Sequence, residues 1–188
     1  PAAGRGRRPA QVMAMPYTLY SWNVNGLRAA EKKGFLGWLA DTGADVVAIQ
    51  ETKARPEQLS PALLNPPGYT AHWCSAEKKG YSGVGTYSRT PPAQVTTGLR
   101  DARFDHEGRV LINAYPAFVL FNIYFPNGGR GPEWVAHKLA FYRRFLEVAR
   151  GYLDAGRPII LCGDVNTAYA EIDLARPKEN ARTSGFLP

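Results

Sequence analysis

The run Arg157-Pro158-Ile159-Ile160-Leu161-Cys162-Gly163-Asp164-Val165-Asn166 starts as a short apolar segment of the kind a buried β-strand needs. It breaks at a glycine, then presents a carboxylate and, two residues on, a carboxamide. In an extended segment, side chains at i and i+2 point the same way, so Asp164 and Asn166 are expected to share one target. An acceptor-only carboxylate beside an amide that both donates and accepts suits a water, a phosphate oxygen or a divalent cation. Gly-Asp after a strand is also ordinary turn chemistry. The added weight comes from three other strand-like runs that end in the same fashion.

Tyr17 to Val24 is aromatic and β-branched enough for a strand and runs into Asn23-Val24-Asn25-Gly26. Asp45 to Ile49 reads as a second buried strand, followed directly by Gln50-Glu51-Thr52-Lys53, which as bare sequence is also just a polar loop. Phe118 to Phe125 delivers Tyr124 and then Asn127. Between these runs, Glu31 to Asp41 carries apolar residues at helical spacing with Gly43 as its stop, and Pro56 to Leu64 reads as a short helix. Strands are expected over Tyr69–Cys74, Tyr81–Ser88, Gln94–Leu99 and Arg109–Ala114, with a polar turn from Asp101 to Gly108. Gly83 and Gly85 weaken the second of these and suggest a bulge or a close backbone approach. Tight turns between regularly spaced strands fit an antiparallel meander. A long helix opens at Pro132, with Val135, Leu139, Tyr142, Leu146, Ala149 and Leu153 as its apolar stripe. His137, Lys138, Arg143, Arg144 and Glu147 then fall on a face expected to be solvated.

The apolar share of a 188-residue chain fits one soluble globular domain, assigned to residues 16–188, and no run is long enough to span a bilayer. Residues 1–15, rich in Pro, Gly, Ala and Arg, read as a disordered basic tail; a nucleic-acid-binding arm is the sharper alternative. The net charge is +7; Arg5, Arg7 and Arg8 carry three of these charges and leave an excess of +4, compatible with a polyanionic partner without demanding one. Cys74 and Cys162 lack metal-ligand spacing and are expected to be buried thiols of a reduced compartment.

Strand ends are where α/β architecture gathers function, because strands hold loop residues rigidly. Asn23/Asn25, Glu51, Tyr124/Asn127 and Asp164/Asn166 together make an oxygen-rich set suited to a hard cation such as Mg²⁺, with waters and substrate phosphate completing its shell. No Cys/His cluster suggests zinc, and neither a phosphate-binding Gly-x-x-x-x-Gly-Lys loop nor a Gly-x-Ser-x-Gly elbow is present. An ion beside a phosphate implies phosphodiester hydrolysis, with Asp164 activating a water for in-line attack.

Ser21-Trp22-Asn23-Val24-Asn25-Gly26-Leu27-Arg28, Ile49-Gln50-Glu51-Thr52-Lys53 and Gly80-Tyr81-Ser82-Gly83-Val84-Gly85 resemble motifs of exonuclease III-type apurinic/apyrimidinic (AP) endonucleases, a branch of the endonuclease/exonuclease/phosphatase superfamily. So do Glu107-Gly108-Arg109-Val110, Tyr124-Phe125-Pro126-Asn127, Gly163-Asp164-Val165-Asn166 and Glu171-Ile172-Asp173-Leu174, in the same order. The resemblance implies an α/β fold, a two-layer β-sandwich flanked by helices, with the second sheet incomplete in this chain. It makes Glu51 the principal metal ligand with Asn23 and Asn25 beside it, for Mg²⁺ or Mn²⁺. Tyr124 would contact the scissile phosphate, Asp164 would position or deprotonate the attacking water, and Asn166 would orient it. Asn127, Arg130 and Asn180 match positions that bind the DNA.

The implied activity is hydrolysis of the phosphodiester 5′ to abasic sites in base excision repair, with 3′–5′ exonuclease activity. The implied partner is duplex DNA carrying abasic sites, approached by a monomer with no membrane, in the bacterial cytoplasm or the eukaryotic nucleus. The family's later aspartate and its Asp-His pair have no match here, so the 188 residues by themselves are expected to be nearly inactive and poorly soluble. Two other readings are a superfamily phosphatase acting on phospholipids or inositol phosphates, and a non-catalytic DNA-binding remnant.

Overall fold

A computed structural model describes residues 16–187; the basic tail 1–15 lies outside the described residues. Two four-stranded sheets pack face to face. The first holds β1 (Leu19–Asn23), β2 (Val46–Gln50), β3 (Thr70–Cys74) and β4 (Val84–Ser88) in the order β1-β2-β4-β3. The second holds β5 (Gln94–Thr97), β6 (Val110–Ala114), β7 (Val119–Tyr124) and β8 (Ile159–Asp164) in sequence order. Neighbours run antiparallel, as the meander reading expected, except for two parallel pairs, β1 with β2 and β7 with β8.

Period-2 alternation sorts each buried strand between two environments. On β2, Val47 and Ile49 face outward into a cluster with Phe35, Leu39, Leu63 and Tyr87, while Val46 faces inward towards Tyr115 and Leu120. On β7, Phe121 and Ile123 face outward and Leu120 inward. The inner layer is also polar. Asn122 donates to the carbonyls of Gly85 (2.8 Å) and Ile49 (3.2 Å), and Gln50 Nε2 donates to Asn122 Oδ1 (2.8 Å). Asn113 reaches the Thr86 hydroxyl at 3.2 Å. Buried amides that bond across the sandwich fix how one sheet sits over the other, because a slipped alignment would leave them unpaired.

The outer layers are helical. The helix expected over Glu31–Asp41 is two helices, α1 (Leu27–Lys32) and α2 (Phe35–Thr42), divided at Gly34, whose φ of 94° no helix accommodates; Gly43 closes α2 in the left-handed conformation as expected. The Pro56–Leu64 segment is likewise divided into a 3₁₀ turn at Pro56–Gln58 and α3 (Pro61–Leu64), with the Ser60 hydroxyl capping α3. The polar turn expected at Asp101–Gly108 contains α4 (Ala102–Asp105), capped by Asp101.

Helix α5 (Pro132–Asp154) covers the second sheet, and α6 (Pro177–Asn180) follows β8. The stripe read along α5 is out of phase. Phe141, Phe145 and Ala149 are buried, whereas Leu139, Leu146 and Leu153 are about half exposed or more. The aromatic rings win because they interlock with Phe104, Phe121 and Phe125. Lys138 lies on that same buried face.

β8 was expected to be a buried strand and is instead paired only with β7 among the described residues, leaving Ile160 and Leu161 partly exposed. β1, paired only with β2 among the described residues, exposes Tyr20 and Trp22 similarly. Both sheets are therefore open along the same side. Cys74 and Cys162 are free thiols that burial pushes up to about 11 and about 12, which leaves them protonated and unreactive. Among the described residues no helix is long and apolar enough to cross a membrane.

Candidate active site

The carboxyl ends of β1, β2, β7 and β8 meet at one corner of the sandwich. Asn23 Nδ2 donates to Glu51 Oε1 and to Asp164 Oδ2, each at 2.9 Å. One amide group thus joins carboxylates from two strands in different sheets. The Tyr124 phenol lies beside Glu51 and acts on its carboxyl.

The strand ends are shaped by one local device used three times. Asn23 Oδ1 accepts from Asn25 N (3.0 Å), Asn127 Oδ1 from Gly129 N (2.7 Å) and Asp164 Oδ1 from Asn166 N (2.9 Å). Each is a side chain bonding its own backbone two residues on, as Asn and Asp readily do. Asn25 and Asn166 consequently take φ of 48° and 51°. The expectation that Asp164 and Asn166 share a face by strand alternation is therefore corrected, since the turn brings them together. Glu51, Lys53 and Ser82 also have positive φ, so five of the six such non-glycine residues described lie at this corner. Strained backbone of this kind persists only where surrounding bonds enforce it. Here Gly26 N donates to Glu51 O, Leu27 N to Thr52 O, Thr52 N to Gly83 O, and Lys53 N to Ser82 O. Gly83, at φ 88°, packs so closely on Thr52 that any Cβ would overlap its hydroxyl, which bears out the close approach read from the sequence. Gly163 is needed for the same reason, because a Cβ there would run into the Ile123 carbonyl across β7.

Burial pushes the Glu51 carboxyl up, but hydrogen bonds from Asn23, Lys53 and Tyr124 and the Lys53 charge outweigh it and hold the group below the ordinary value. Burial, then the Glu51 carboxylate, pushes the Tyr124 phenol up to about 12, so it stays a donor. Lys53 Nζ sits 2.8 Å from Glu51 Oε2 and bonds to Asn25 Oδ1. A cation is therefore already accommodated between two of the three residues expected to ligate metal. The donor set is oxygen throughout, with no cluster of three His, Cys, Asp or Glu among the described residues, and it fits a hard ion held by few protein ligands.

The remaining expected residues line two cavities that meet at Asn127. The larger, about 1090 Å³, is a groove between the Asp164–Thr167 loop and the Asn180–Gly185 segment. Asn127 Nδ2 lies 3.5 Å from Asn166 Oδ1 there, while Asn166 Nδ2 donates to Phe125 O at 2.9 Å. Asn180 lines this groove with its amide committed to Arg176 O (2.9 Å). The smaller cavity, about 340 Å³, is bounded by Tyr81, Arg109, Tyr124, Asn127, Arg130 and Trp134, with the Arg130 guanidinium 4.7 Å from the Trp134 ring.

Two residues of the site had no role assigned from sequence. Arg109, 4% exposed, bonds Glu107, donates to Tyr124 O (3.1 Å) and to the Tyr81 hydroxyl (2.6 Å), and stacks over both tyrosine rings. Its position in the Glu107-Gly108-Arg109 motif was the available signal. Lys138, read as solvated, is 3% exposed and donates to Asn166 O and Ser184 O. Burial pulls its ammonium below the ordinary lysine value, with Asp164 opposing. The signal was its place on the Phe141–Phe145–Ala149 face. None of His72, His106 and His137 hydrogen-bonds to Glu51, Tyr124, Asp164 or Asn166; His137 Nε2 lies 3.2 Å from Glu107 Oε1 instead.

Two sheets between helices, with two carboxylates, amides and a phenol converging at one set of strand ends, make an α/β sandwich whose candidate functional groups share a single corner. A profile of the Endonuclease/Exonuclease/phosphatase family matches residues 20–186, and the chain belongs to that family. It is 40% identical over 169 residues to the exodeoxyribonuclease of Bacillus subtilis (strain 168), covering 89% of this chain and 66% of that one. It is 40% identical over 170 residues to the DNA repair nuclease APEX1 of Danio rerio, covering 89% of this chain and 54% of that one. Among solved structures, an AP endonuclease from Archaeoglobus fulgidus superposes with a TM-score of 0.81 at 25% identity, over 92% of this chain and 66% of that one. The chain thus spans between about half and two thirds of the length of these relatives.

Proposed function

We propose that this chain carries the metal- and phosphate-binding half of a DNA repair nuclease that hydrolyses the phosphodiester 5′ to an abasic site, with 3′–5′ exonuclease activity. The observation that carries the reading is the Asn23 amide held between Glu51 and Asp164. In this reading the carboxylate that would face the cation, Glu51, and the one that would serve the attacking water, Asp164, share one amide donor. Supporting it are the relatives, named as exodeoxyribonuclease and DNA repair nuclease, and a Neisseria 3′ phosphatase at TM-score 0.77 and 26% identity that was solved with a product DNA hairpin.

In this reading Glu51 would be the principal ligand of Mg²⁺ or Mn²⁺, with Asn23 and Asn25 beside it. Their amide oxygens are engaged by Asn25 N and Lys53 Nζ and would have to be released to join the ion. The ion supplies polarisation of the phosphoryl oxygen and charge stabilisation on the leaving 3′ oxygen. Tyr124, protonated and fixed by Arg109, donates to a non-bridging phosphate oxygen. Asp164 accepts the proton of the attacking water as its oxygen bonds to phosphorus and the bond to the 3′ oxygen breaks. Asn166 and Asn127 orient that water and the phosphate, and Arg130 and Asn180 contact the flanking strand. The products are a 3′ hydroxyl and a 5′ deoxyribose phosphate.

The test is a single-turnover assay with protein in excess over a labelled duplex carrying one abasic analogue, followed for hours so that a slow rate registers. Mg²⁺-dependent nicking 5′ to the lesion, abolished by chelator and absent from intact duplex, is expected. Release of phosphate from a soluble inositol phosphate without nicking would overturn the assignment.

A further inference from the structure

We propose that Lys138 is a positioning residue for Asn166, holding the strained turn after β8 in place by its backbone carbonyl and tying it to the Ser184 segment across the groove. The inference rests on the nuclease reading above. A lysine is almost never fully buried without compensation. Here the compensation is two main-chain oxygens from separate parts of the chain, Asn166 O at 2.6 Å and Ser184 O at 3.1 Å. Among the described residues no carboxylate forms a salt bridge with it, and its hydrogen bonds go to the backbone. Tyr142, one turn further along α5, supports the same loop: its ring lies 6.0 Å from the ammonium, and its hydroxyl bonds to Val165 O and to Thr167 Oγ1.

The turn needs such support because Asn166 holds a φ of 51°, a conformation that costs free energy in a residue other than glycine. The far side of the clamp is also tied to the site. Ser184 Oγ lies 3.3 Å from Asn127 Oδ1, and Ala168 N donates to Gly185 O at 2.9 Å. One buried ammonium therefore fixes the relative position of both walls of the groove. Its loss should displace Asn166 from the reacting phosphate without removing any group that touches DNA.

Lys138→Met keeps the bulk and removes the donors, Lys138→Arg restores donors, and Glu147→Gln is an exposed control on the same helix. Hydrogen exchange is expected to accelerate about tenfold or more in Lys138→Met for peptides spanning 164–168 and 183–187, with β6 and β7 unchanged. Single-turnover nicking should fall by about 10- to 100-fold while duplex affinity stays within about threefold, and Lys138→Arg should recover most of the rate. Wild-type exchange in Lys138→Met, a rate equal to that of the control, or exchange raised equally in every strand would overturn the proposal. Should Lys138→Met fail to fold, Tyr142→Phe keeps the ring against Phe125 and should give the same local signature in milder form; its absence there would equally overturn it. A wild-type protein that neither nicks nor binds the duplex, with the exchange change still confined to the two segments, supports the clamp and sinks the nuclease reading alone.

Discussion

Asn23 uses both faces of its amide: the nitrogen joins Glu51 and Asp164, and the oxygen forms the turn that sets Asn25. Asn23→Ala removes all three bonds and leaves two carboxylates facing each other. Nicking by this variant is expected to fall by about 10²- to 10³-fold in the single-turnover assay, the scale of losing one fixed donor from a charged site. Glu51 carries a pH signature. Its folded-state value lies below the ordinary 4.5, so its contribution to stability is complete above 4.5 and is lost as pH falls through the lower value. Thermal melts in metal-free buffer from about pH 6 to about pH 3 should show this loss, and Glu51→Gln should flatten it.

Helix α5 is the element whose reading changed most. Apolar residues occur on two of its faces, and the stripe through Leu139, Leu146 and Leu153 has a regular spacing that period alone cannot reject. The second sheet selects the other face because Phe121 and Phe125 offer rings to pack against. Phe145→Ala should therefore cost about 3–5 kcal/mol in chemical denaturation, while Leu146→Ala, at a position 61% exposed, should change stability by less than about 1 kcal/mol. Equal losses would return the stripe to the leucines. Between the sheets, Asn122→Ala removes the amide that donates to the Gly85 and Ile49 carbonyls and the shortest of the acceptors of the Gln50 amide. A loss of about 2–4 kcal/mol is expected, with an unfolding slope unchanged from wild type.

The whole chain carries a charge of +7, and the groove and the Arg130 cavity open at the same corner as the carboxylates. Duplex affinity should accordingly drop at least about tenfold between 50 and 200 mM salt, with a linear log–log plot that counts phosphates neutralised. A salt-independent affinity would remove the electrostatic basis for a polyanionic substrate. The open side formed by β1 and β8 is a separate surface, apolar through Tyr20, Trp22, Ile160 and Leu161, and is unsuited to phosphate.

Most strands were legible from the sequence because alternation and short apolar runs are local properties; so were the four polar strand ends, since a turn residue beside a strand is read from neighbours in the chain. The face α5 buries and the role of Lys138 were not, because each depends on groups more than a turn away along the chain. The sequence by itself determined the family and the residue types at each strand end. Only the tertiary structure brought Asn23 to Asp164 across 141 positions of chain and placed a buried lysine under Asn166. Proximity between two sheets is a property of packing, to which no local periodicity has access.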